Sequence, residues 1–170
     1  MASLMQELLG VMQEEEKQYQ TLIELSDVKR QAVIKADIEA LGQVTTQEQD
    51  VASTLLNLSN KRDQVLNDMA IVLGKEPKEM TINKMIGYLE SQPEEQKQLT
   101  EWRDRLLAVG TQMRIVNQQN EELLKQALEM VEFDLTLLRS MRQAPETANY
   151  DKHAYNTGTL LGNSGFDAKQ

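Results

Sequence analysis

From Leu41 to Val72 apolar residues recur at alternating intervals of three and four, through Leu41, Val44, Glu48, Val51, Leu55, Leu58, Arg62, Val65, Met69 and Val72. Eight of those ten positions are apolar, where a chain that is 40% hydrophobic would supply four by chance. That period is one stripe of a long amphipathic helix packed on neighbouring helices with coiled-coil-like geometry. The prolines leave room for it, because Pro77, Pro93 and Pro145 spare residues 1–76 and 94–144 any interior helix breaker. Few aromatic residues and an abundance of Leu, Gln, Glu, Lys, Ala and Met point the same way. The expected fold is all-α: an elongated antiparallel bundle of three long helices and one short one, with an irregular C-terminal tail.

The helix ends follow from local chemistry. Asp37 can accept hydrogen bonds from the free N–H groups of a new helix, and Glu39 suits its positive end, so the first hairpin is placed between Lys35 and Leu41. The alternative is one uninterrupted helix, since neither glycine nor proline lies there. The first helix carries a looser stripe through Leu4, Leu8, Val11, Tyr19, Leu22 and Val33, and Gly74 and Pro77 close the second. Thr81 can cap a short helix reaching about Glu90, with Met80 and Met85 at the positions of a hydrophobic staple. Ser91-Gln-Pro-Glu94 has capping-box spacing and opens the longest element, predicted to run to about Met141. About 50 residues at ~1.5 Å each make a rod of roughly 75 Å, more than either earlier helix can cover. Part of its apolar face is therefore expected to lack a partner within the chain. From Gln143 the helical period is lost, so residues 1–142 are read as a helical domain and 143–170 as a flexible tail. Three of the chain's aromatics, Tyr150, Tyr155 and Phe166, fall in that tail. They suggest a docking segment; the plainer reading is a frayed terminus.

Composition removes many functions. With no cysteine, thiolate metal sites and cysteine nucleophiles are excluded, and with His153 the sole histidine no paired-histidine metal site can be built. No cofactor is implied, and no glycine-rich phosphate loop is present. A formal net charge of -9 repels nucleic acid and anionic lipid. No stretch approaches the roughly 20 apolar residues of a membrane span, and the acids Glu14, Glu15 and Glu16 are unlike a secretory leader, so a cytoplasmic location is expected.

Four polar residues interrupt the stripes. Glu48 and Arg62 stand two heptads apart on one face, so they are not each other's partners. If the first two helices fold back about Asp37, Arg62 lies near Glu14, Glu15 and Glu16, and a half-buried ion pair would fix register more than it adds stability. A ligand role is the alternative. Asn117 and Asn120 interrupt the long helix about one turn apart, either as polar register markers or as a patch that hydrogen-bonds a partner.

The order and spacing of these features resemble the FlgN family of flagellar type III export chaperones. The likeness runs through Leu8, Glu15, Tyr19 and Leu22, Lys29-Arg30 before Asp37, and Leu41, Glu48 and Arg62. It continues with Gly74, Thr81, Asn117 and Asn120 before Leu123-Leu124, Tyr155 and Gly158, and Phe166-Asp-Ala-Lys169. The resemblance implies a non-enzymatic protein that binds the hook-filament junction proteins FlgK and FlgL through their C-terminal helical segments and delivers them to the export gate. The client would lie on the C-terminal part of the long helix, where the candidate contacts are Asn117, Asn120, Leu124, Leu128, Val131, Leu135 and Leu138. Met130 and Met141 could adapt to different clients, and Tyr150, Tyr155 and Gly158 could shield the stripe or contact the export machinery. Pairing of two copies through the long helix stays open, as does a coiled-coil scaffold with no client.

Overall fold

A computed structural model describes the backbone of residues 1–147 and the side chains of residues 1–142. All regular structure among the described residues is helical: α1 (Ala2–Ile34), α2 (Ile38–Val72), the short α3 (Ile82–Tyr88) and α4 (Pro93–Thr147). By packing, the chain divides into two units, Met1–Glu121 and Glu122–Gln170. The first holds α1 to α3 and α4 as far as Glu121.

The hairpin between α1 and α2 is built as a double cap. Ala36 takes a left-handed conformation (φ 52°), its N–H donates to Val33 O, and the Asp37 N–H reaches back to Ala32 O. These are the two bonds of a Schellman motif, here with alanine where glycine is usual. Asp37 then turns from ending one helix to starting the next, and its carboxylate accepts from the Ala40 N–H at 3.0 Å. The end of α2 repeats the motif with Gly74 (φ 67°), whose N–H donates to Ile71 O while the Lys75 N–H donates to Ala70 O.

Thr81 caps α3 by accepting from the Lys84 N–H, and Gln96 of α4 donates its side-chain amide to the Ile86 carbonyl near the end of α3. The α4 cap falls on Gln92, whose carbonyl accepts the Gln96 N–H. Pro93 is thus the first helical residue, where a missing N–H costs nothing. Ser91, expected to be the cap, lies one residue too early. At its far end α4 continues through Pro145 to Thr147, several residues past the expected stop at Met141. A proline so near a terminus removes only one bond of the last turn.

The core of the first unit gathers Met5, Leu8 and Met12 of α1, Val65, Leu66 and Met69 of α2, Met85 and Leu89 around α3, and Leu99 of α4. Trp102 and Leu106 pack against it. Nine of the ten stripe positions of α2 are buried or half-buried, whereas Val72, in the last turn, is exposed.

Candidate functional site

The polar residues on the α1/α2 seam meet in pairs. The Arg62 guanidinium donates to both Glu15 carboxylate oxygens at 2.9 and 3.0 Å, and Lys29 Nζ donates to Glu48 at 3.0 Å. In both pairs the residue numbers sum to 77, the signature of one antiparallel register. Leu8 opposite Met69 and Leu22 opposite Leu55 fit the same sum, so apolar and ionic layers alternate every heptad along the hairpin. Sliding α2 by one heptad would set each charge against an apolar residue. Sliding it by two would set Glu15 against Glu48 or Lys29 against Arg62. Either slip would therefore bury an unpaired charge or oppose like charges, a cost that polar groups within a seam impose on wrong registers. Burial pushes the Glu15 carboxyl above its ordinary value, and the attraction and hydrogen bonds of Arg62 pull it back only in part.

α1 also holds the first half of α4. Arg105 donates to both oxygens of the buried Glu16 at 2.8 and 2.6 Å while stacking over Trp102. Farther along both helices the Asn120 amide donates to Ser26 O at 2.7 Å. Contacts that advance together along both helices show that this part of α4 runs parallel to α1 and so antiparallel to α2. A groove of about 480 Å³ opens between α2, α3 and α4, floored by Leu66, Met80 and Leu106. Two arginines of its wall are committed to internal partners, Arg62 to Glu15 and Arg103 to Asn83 and Asp104.

The two asparagines part company here. Asn120 is buried (5% exposed) and its side-chain amide donates to the Ser26 carbonyl. Asn117 is exposed. Leu124 is half-buried, and beyond Ala127 the apolar face of α4 opens to solvent: Leu128, Val131, Leu135 and Leu138 are each about half exposed, from 48% to 58%. Sequence reasoning missed that these residues form only one of two apolar rows. Met130, Phe133, Leu137 and Met141 are also exposed, Phe133 by 66%. At 3.6 residues per turn the two rows each span an arc of roughly 80°, centred roughly 140° apart on the helix. The signal was present in the sequence as a second run of three- and four-residue steps.

A match to the FlgN family, described as FlgN protein, covers residues 1–157. The chain belongs to the FlgN family. That is a family of flagellar export chaperones rather than of enzymes, and the helical fold suits it. No curated protein and no solved structure matches the chain. Among the described residues of this FlgN-family chain no group of three or more metal-ligating side chains comes together, and no helix is long and apolar enough to cross a membrane. Tyr150, Tyr155 and Gly158, proposed for tail docking on sequence grounds, lie outside the described residues.

Proposed function

We propose that this FlgN-family chain is a cytoplasmic chaperone that holds the C-terminal helical segment of a hook-filament junction protein, of FlgK or FlgL type, and delivers it to the flagellar export gate. The supporting observation is the row Leu128, Val131, Leu135 and Leu138, exposed on a helix whose earlier turns are covered by α1 to α3. An amphipathic client helix laid along that row exchanges water for apolar contact on both partners. Full burial of such a side chain is worth about 1.5–3 kcal/mol, so closing a half-exposed one is worth roughly half as much. The half-buried Leu124 is a further candidate contact next to the row, and Asn117, exposed in the first unit, is a candidate hydrogen-bonding contact. Tyr150, Tyr155 and Gly158 are assigned to shielding this row or to contacts with the export machinery.

The test is a pull-down of a junction protein's C-terminal fragment by the full chain carrying Leu128→Asp and Leu135→Asp together. Client capture should disappear while helicity by circular dichroism is unchanged. Retained capture refutes the proposal, and loss of helicity together with capture would make these residues structural.

A further inference from the structure

Building on the client reading, we infer that the second row, Met130, Phe133, Leu137 and Met141, docks a second amphipathic helix of the same client, one whose apolar stripe is flanked by Lys and Arg. The apolar stripe by which a surface helix packs on a core is about 100° wide, whereas the two rows and the gap between them span roughly 220° of the helix. Two rows roughly 140° apart therefore present two seats. Asp134 lies in the gap between them, so a helix seated across both rows would have to desolvate its carboxylate.

The flanks differ in charge, and that selects the occupant. On the helical wheel the second row has Asp134 on one side and Glu129 with Glu122 on the other. Its nearest charged neighbours are all acidic. The first row has Glu132 and Arg139 along its outer side and Arg142 in line with its C-terminal end, a mixed border. A helix for the second row is complementary when Lys or Arg stand beside its apolar stripe. A second copy of this chain pairing through the same row is a poor occupant, because it would bring its own Glu129 and Asp134 to the border; a copy docked by its first row is separated from a client by the crosslinking below. Once the first client helix is seated, the second binds as an intramolecular event at high effective concentration, so a weak row adds substantially to overall affinity.

The chain has no cysteine, so a single introduced one is a unique label. Full-length Phe133→Cys and Val131→Cys variants, each carrying a benzophenone crosslinker, are irradiated with a junction protein's C-terminal fragment, and the products are mapped by mass spectrometry. The expected result is that the two labels mark two different client helices, with basic residues flanking the site that Phe133→Cys marks. A Phe133→Cys label that marks the same client helix as Val131→Cys, a second copy of the chain, residues 148–170, or nothing overturns the inference. If Val131→Cys marks no client, the underlying function fails instead. As an independent check, Glu129→Gln with Asp134→Asn should weaken client binding about tenfold at low salt and flatten its salt dependence; unchanged binding overturns the charge assignment.

Discussion

Replacing Arg62 by leucine strips the one partner that offsets burial of the Glu15 carboxylate. Glu15 is 3% exposed in its side chain and Arg62 26%. Deleting one member of a buried ion pair costs about 3–5 kcal/mol, and the partial exposure of Arg62 places this case near the lower bound. Against a total stability of about 5–15 kcal/mol, Arg62→Leu still folds, with a lower urea midpoint. Its deficit must also depend on pH. Without Arg62 the remaining influences on Glu15, burial and the neighbouring Asp63, both raise its pKa farther above 4.5. The folded variant then holds a proton that the unfolded chain releases. Stability consequently falls as pH rises through that window, by up to about 1.4 kcal/mol per pH unit, and returns on acidification. The double variant Glu15→Leu/Arg62→Leu buries no charge at this layer. It should be at least as stable as the wild type at neutral pH and should lack the added slope. Urea unfolding followed by circular dichroism at pH 7.5, 6 and 5 reads all three proteins. An Arg62→Leu deficit that is absent at pH 7.5, or the same at pH 5, would refute the reasoning.

The two helix ends with left-handed residues predict opposite effects. Ala36→Gly relieves about 1–2 kcal/mol of backbone strain and gives back about 0.4–1 through the unfolded chain, for a net gain of about 0.5–1 kcal/mol. Gly74→Ala, where the added methyl meets no neighbour within 4 Å, should lose a similar amount for backbone reasons alone, and thermal melts would show both as shifts of a few degrees. Asn120→Ala should cost about 1 kcal/mol by removing the bond to Ser26 O, whereas Asn117→Ala should leave stability within about 0.5 kcal/mol. If Asn117 meets the client, its loss appears only in client affinity, measured by calorimetry.

Much of the hairpin was legible before any coordinates. Asp37 and Thr81 are caps because short acceptor side chains precede helical runs, a local effect that a few residues determine. The layer positions were also readable, since Leu8, Glu15, Leu22 and Lys29 repeat every seven residues on α1 just as Leu41, Glu48, Leu55, Arg62 and Met69 do on α2. The identity of each partner needed the register, which depends on where the turn closes. Here a left-handed alanine closes it, a residue that gives no turn signal of its own, and so an unbroken helix stayed open as an alternative. Asn120 shows the same limit. Its spacing marks it as unusual, but only the packing of α4 on α1 decides that it faces the Ser26 carbonyl rather than solvent.

The surface of α4 beyond Ala127 was legible as apolar but not as exposed, and the proposed client site rests on that distinction. A helix with two apolar rows is what a central bundle helix carries when neighbours lie on two sides of it. In α1, apolar residues at comparable spacing are sealed: Leu8 and Met12 are fully buried. Periodicity reports that apolar groups share a face, while coverage depends on whether other segments reach that face. Following a single heptad line through Leu128 and Leu135 also hides the second, because Phe133 and Leu137 fall between its positions. The α4 pattern is thus that of a buried helix written onto turns that stand exposed. On physical grounds such a pattern is stable in water only at a cost, and a partner with two apolar stripes of its own removes that cost on both rows at once.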